Sequence, residues 1–281
     1  MSAMPHTCPT RDTHLFLAFA STLAKRIEAG NNDAALVGDL QAQIRGLPLQ
    51  PSSAVTAKQD ELDKLGTELW NQATRLRRDG ASTDSQGEDA TAHKTRVIPF
   101  LRAYAFLLLD SAGGQGPKGR QRKSCIRLIK VALKAARVCI EGNELSVAMK
   151  VLERAAEHEE VLSKRAEGES ERDAELADGL RAQYFAVRTT LAWRQDRKDM
   201  AEHLFDKCKQ LAKSFTPAIT EQLADLLYEI GRAALAKRDY EVAVRWLERA
   251  YDVLGEQDLD VLSPEIGELR LSIMQSLGRH A

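Results

Sequence analysis

Apolar side chains recur at helical spacing from one end of this chain to the other, and no run alternates apolar with polar residues as a half-buried strand would. That constrains the fold most, because a chain made only of helices must bury a stripe of each helix against another. Composition agrees: aromatics are 5% of the 281 residues, and Ala and Leu replace the β-branched residues that sheets favour. The first helix is expected from Asp12, a suitable N-cap, to Ala29, before Gly30-Asn31-Asn32 stops it. A second runs from Asp33 to Arg45, and a longer one from Thr56 to Arg78 carries the stripe Leu62, Leu65, Leu69, Ala73 and Leu76. Between them, residues 46–53 are a loop.

Residues from Asp79 to about 93 are polar and rich in Gly, Ser and Asp, and are expected to form a disordered loop. A strongly apolar helix then runs from Arg96 to Leu109, with Pro99 placed in its first turn, where a missing N–H costs nothing. Together these make an N-terminal helical region, 1–112. The Gly-rich basic segment 113–123 reads as a linker and as the main boundary of the chain.

Past the linker, 124–281 reads as helix pairs that resemble one another. In the clearest pair, Glu221 to Leu254, Leu227, Ile230, Gly231, Ala234, Tyr240, Ala243, Leu247 and Ala250 have the spacing of a tetratricopeptide unit. Gly231 and Ala243 are small where two antiparallel helices would cross, while Leu227, Ile230, Leu247 and Ala250 fill the space beside them. Aligned on Ala243, earlier pairs offer Phe185, Thr189, Ala192, Ala201, Phe205 and Cys208, and before those Ala132, Ala136, Cys139, Ala148, Leu152 and Ala155. The intervals between Ala148, Ala201 and Ala243 are unequal and longer than the ~34-residue standard, which makes the repeats divergent. The expected fold is an all-α, tetratricopeptide-like superhelix, since one helix pair cannot hide its apolar face alone. Ser263 and Pro264 open one more helix, the first half of a further pair, so the last repeat is expected to be incomplete.

Signals for chemistry are sparse. Gly114-Gln115-Gly116-Pro117-Lys118-Gly119 matches a dinucleotide-binding spacing, but it follows a helix where that motif needs a strand. There is no Gly-Lys-Ser/Thr for a phosphate loop, and the six histidines have neither each other nor cysteines at zinc-ligand spacing. His158, in Glu157-His158-Glu159-Glu160, reads as part of a solvated helix face. No catalytic, cofactor-binding or metal-binding residues are assigned, and the chain is not expected to be an enzyme.

Cys8, Cys125, Cys139 and Cys208 lack any Cys-x-x-Cys pairing and read as reduced thiols, mostly in apolar helices. With a net charge of −1, no global field draws the chain to nucleic acid or an anionic membrane. Eight basic residues do lie between Ser111 and Ile140 without an acid: Lys118, Arg120, Arg122, Lys123, Arg127, Lys130, Lys134 and Arg137. No aromatics are interleaved for base stacking, so a solvated or partner-facing stripe is expected and direct nucleic-acid binding is not. Trp70, Trp193 and Trp246 read as core residues. First-helix residues Tyr228, Glu229 and Arg232 are the candidate protein contacts.

The segments Leu226-Leu227-Tyr228-Glu229-Ile230-Gly231 and Tyr240-Glu241-Val242-Ala243-Val244-Arg245-Trp246-Leu247-Glu248-Arg249-Ala250-Tyr251 resemble the meiosis-specific tetratricopeptide-like family called Spo-twenty-two or Zip-four. Leu262-Ser263-Pro264 through Glu268-Leu269-Arg270-Leu271-Ser272-Ile273-Met274 looks like that family's continuation into the next repeat. Leu62-Asp63-Lys64-Leu65-Gly66-Thr67-Glu68-Leu69-Trp70-Asn71 is similar to the N-terminal region of its fungal members. Family members are longer, and the resemblance is to their N-terminal part. It implies a protein-interaction scaffold of the ZMM group on meiotic chromosomes in the nucleus, promoting crossover formation and synaptonemal complex assembly with chromosome-axis or crossover factors as partners. The competing reading is a cytosolic cochaperone-type adaptor that grips a C-terminal carboxylate, to which Asp225 and Glu229 are ill suited.

Overall fold

The computed structural model describes residues 9–29, 34–81, 88–113, 121–165, 168–255 and 262–278. Every regular element among them is helical. The chain divides into two compact units, Met1–Val161 and Leu162–Ala281.

The first unit holds α1 (Pro9–Glu28), α2 (Ala34–Gly46), α3 (Ser53–Ala57), α4 (Gln59–Ala81), α5 (Glu88–Ser111), α6 (Arg122–Glu141) and most of α7 (Leu145–Ser163). Its centre is α5, in which every residue from Val97 to Ser111 is buried. A helix apolar on all sides is stable only when surrounded, and α2, α4 and α6 pack against it. Phe100, Leu101, Phe106, Leu107 and Leu108 are inaccessible to solvent, each contributing roughly 1.5–3 kcal/mol of transfer free energy. Tyr104 stands edge-on to Phe19 with ring centroids 5.6 Å apart, and its hydroxyl donates to the Phe16 carbonyl at 3.3 Å. Burial holds that phenol far above its usual pKa.

Three expectations for this region change. Pro99 lies in the interior of α5, not in its first turn, because the helix begins well upstream at Glu88. The loop expected over 79–93 shortens accordingly: 79–81 close α4, 88–93 open α5, and 82–87 lie outside the described residues. The helix expected from Thr56 is divided, because the Ser52 hydroxyl accepts from Val55 N at 3.2 Å and starts α3 early, while Lys58 at φ −113 interrupts it before α4. Of the segment 113–123, residues 114–120 lie outside the described residues, while α5 and α6 on either side of it pack together.

The second unit holds α8 (Glu171–Arg194), α9 (Lys198–Lys209), a 3-10 turn (Ala212–Ser214), α10 (Pro217–Ala236), α11 (Tyr240–Gly255) and α12 (Glu265–Gly278). Ser170 caps α8 by accepting from Asp173 N, and Thr216 caps α10, where Pro217 fills the first helical position. α8 pairs with α9 and α10 with α11, α8 packs on α10, and α12 rests on both α10 and α11.

Three helix-to-helix turns share one geometry. Asn143, Asp196 and Arg238 each adopt φ 59, and the following N–H turns back to a carbonyl five residues earlier: Glu144 to Cys139, Arg197 to Ala192, Asp239 to Ala234. This is the left-handed closure that ends many helices. Ala148, Ala201 and Ala243 then each donate to the carbonyl of that same Glu144, Arg197 or Asp239. The three alanines aligned in the sequence therefore hold equivalent places in three hairpins. Left-handed backbone costs a residue with a Cβ roughly 1–2 kcal/mol unless it is Asn or Asp, so Arg238 is the costly member. Arg238→Gly is expected to raise stability by about 1 kcal/mol in urea unfolding; a fall would mean that its side chain matters more than its backbone.

Candidate partner-binding face

α10 separates its residues cleanly. Ile219, Thr220, Leu223, Ala224, Leu227, Ile230, Gly231 and Ala234 are buried, while Gln222, Asp225, Glu229 and Arg232 are exposed and Tyr228 is half-buried. The six residues assigned to packing, Leu227, Ile230, Gly231, Ala243, Leu247 and Ala250, all lie inside. A Cβ on Gly231 would come within 2.7 Å of Leu247 Cγ and 3.3 Å of the Ala243 carbonyl oxygen, so the helices cross where only glycine fits without displacement. That close crossing fixes α10 against α11 and turns its other side outward.

Of the candidate contacts, Glu229 and Arg232 are solvent-exposed and Tyr228 is half-covered. None of the three engages another described residue in a hydrogen bond or ion pair. Arg232 lies one helical turn beyond both Tyr228 and Glu229, and the exposed Asp225 lies a turn before Glu229. Together these residues offer an aromatic ring, two carboxylates a helical turn apart and a guanidinium.

Trp193 and Trp246 are buried, edge-on to one another at 5.9 Å, and Phe205 meets Trp246 at 5.6 Å. Trp70 is half-buried, with the Arg102 guanidinium 4.1 Å above its ring. In the basic stretch, Lys118 and Arg120 fall outside the described residues, as does 114–119 with its glycine motif. Arg122 donates to the Val161 carbonyl at 3.0 Å, Arg127 pairs with Asp63, and Arg137 is half-buried. Lys123, Lys130 and Lys134 are exposed. Cys125, Cys139 and Cys208 are buried free thiols, and Cys8 lies outside the described residues. Burial pushes the Cys208 thiol up to about 12 and the Cys139 thiol higher still.

His158 corrects its expectation. It is fully buried, with Nε2 2.8 Å from Asp110 Oδ1, and Asp110 is itself inaccessible. Arg154 Nε donates to Asp110 Oδ2 at 2.8 Å, and Arg154 also pairs with Glu157. Since a carboxylate only accepts, the shared hydrogen sits on Nε2. The sequence did carry a signal: Val151, Ala155, His158 and Leu162 form one buried stripe at helical spacing. The adjoining glutamates obscured it, and the partner Asp110 lies on α5.

Among the described residues, no helix is long and apolar enough to cross a membrane, and no group of three or more His, Cys, Asp or Glu could hold a metal ion.

A family model described as "Meiosis protein SPO22/ZIP4 like" matches residues 191–280. No curated protein and no solved structure matches the chain. The matched stretch begins in the last turn of α8 and takes in α9, α10, α11 and α12, including the Gly231 crossing and the Tyr228, Glu229 and Arg232 row. This part of the chain is therefore similar to the SPO22/ZIP4-like meiosis proteins, the family that residues 226–277 resemble.

Proposed function

We propose that the chain is a protein-interaction scaffold of meiosis, acting in the nucleus on meiotic chromosomes, where it promotes crossover formation and synaptonemal complex assembly by holding chromosome-axis or crossover proteins. The observation that carries this reading is the coincidence of the meiosis-family match, 191–280, with a run of helical hairpins whose outer row is uncommitted. Hairpins closed by the same turn and anchored by equivalent alanines favour a divergent tetratricopeptide-like superhelix, in which first-helix residues line the binding face. Asp225 and Glu229 weigh against the cochaperone-type adaptor, because their charge opposes a carboxylate ligand.

The test compares the natural chain with a Tyr228→Ala, Glu229→Arg, Arg232→Glu variant, each tagged and purified from cells in meiotic prophase. Recovery of chromosome-axis or crossover proteins is expected to fall about tenfold, roughly 1.4 kcal/mol of binding, with helical content unchanged by circular dichroism. Equal recovery by both chains would remove this face from the account.

A further inference from the structure

Arg102 is a buried cation that no acid answers. It sits in the middle of α5, only 7% exposed, and among the described residues no carboxylate pairs with it. Of the five N–H donors of its guanidinium one is engaged: Nη2 donates to Thr74 Oγ1 at 3.1 Å. The Thr74 hydroxyl is itself committed, donating to the Trp70 carbonyl at 2.9 Å. Arg102 Nε is shut away from solvent without a partner. The remaining attraction comes from the Trp70 ring, whose centroid lies 4.1 Å from the guanidinium carbon.

Buried charges in folded proteins are paired, because desolvation outweighs the attraction of one hydroxyl and one ring. The surroundings of Arg102 add to that cost. Arg77 lies one turn beyond Thr74 on α4, and burial together with this second cation holds the Arg102 guanidinium below its usual pKa. Glu141 of α6 faces Arg77 at 3.7 Å, beyond hydrogen-bond length, with both side chains more than half exposed. That carboxylate makes no bond to Arg102. Since α4 and α6 both pack on α5, this part of the first unit sets two guanidiniums against one loosely held acid.

We propose that this is an oxyanion site, in which Arg102 and Arg77 take a phosphate group, either free in solution or carried on a phosphorylated side chain. Its dianion matches the combined charge of the two guanidiniums, which a single carboxylate does not. Its several oxygens can accept from the fork-shaped donors of Arg102 and from Arg77 at once. Thr74 and the half-buried Trp70 hold the Arg102 fork in place for it. The small part of Arg102 left exposed is the way in, and Arg77, already at the surface, has only to leave Glu141. The inference does not depend on the meiotic reading, since α4, α5 and α6 lie outside the family match.

Thermal melting of the full chain in sodium phosphate or sodium chloride at matched ionic strength, followed by circular dichroism, is the test. The melting temperature is expected to rise saturably with phosphate, with a midpoint on the order of millimolar, and not with chloride. Arg102→Gln is expected to abolish the response. Arg77→Ala, a surface change that keeps the test valid should Arg102→Gln fail to fold, is expected to raise the midpoint about tenfold and leave melting in chloride unchanged. Phosphoserine blocked at both ends, used in place of inorganic phosphate, separates the two sources: a matching rise makes a phosphorylated side chain the ligand, and no rise leaves free phosphate. A natural chain that does not respond to phosphate overturns the proposal, and so does a response undiminished in the Arg77→Ala chain.

Discussion

Asp110→Ala is expected to cost the chain about 3–5 kcal/mol of stability, the usual consequence of removing one partner from a buried ion pair. The carboxylate has no access to solvent and lies between Arg154 and His158, 2.8 Å from each. Without it, the Arg154 charge loses its buried counter-ion and His158 Nε2 loses its acceptor. His158 Nδ1 has no hydrogen-bond partner as it is, so the imidazole would be left without one on either side. Folded domains hold only ~5–15 kcal/mol in total, so the loss would shift a urea midpoint far outside measurement error. Asp110→Asn keeps the shape and one acceptor and is expected to lose less. An unchanged midpoint for Asp110→Ala would mean that the network contributes nothing net to the fold.

Trp246→Ala is expected to be comparably damaging, by about 3–5 kcal/mol, because it leaves a large cavity where three helices meet. The indole is 1% exposed and stands against Trp193 of α8 and Phe205 of α9. Arg249 covers both rings, 4.5 Å from that of Trp246 and 4.8 Å from that of Phe205, and reaches Glu202 Oε2 at 2.6 Å. One side chain thus joins the α8–α9 hairpin to the α10–α11 hairpin. Trp246→Phe preserves most of the buried area and is expected to lose less than half as much. Thermal melting of the three chains measures this, and equal melting temperatures would show that the stack is held elsewhere.

How far the sequence revealed this architecture depended on the range of the interactions involved. Ala148, Ala201 and Ala243 were legible because hairpin closure is local: the turn, its left-handed residue and the alanine four positions on all lie within a few residues of one another. Gly231 was legible for the same reason, since its contacts Ala243 and Leu247 belong to the adjoining helix. His158 was misread because its burial depends on Asp110, distant along the chain, while the glutamates on either side of it suggested solvent. Pro99 was assigned to a first turn because the polar residues before it resemble a loop; the burial of α5 behind it outweighs that local preference. Periodicity alone does not separate Leu271 and Met274 of α12 from core residues, yet they are 56% and 51% exposed.

The proposed role of the helical hairpins on meiotic chromosomes is tested most directly by where the chain goes. Spread nuclei from prophase cells carrying the tagged chain should show discrete foci along the chromosomes, lost or dispersed in the Tyr228→Ala, Glu229→Arg, Arg232→Glu variant. A signal spread evenly through the cytoplasm, with bare chromosomes, would contradict it.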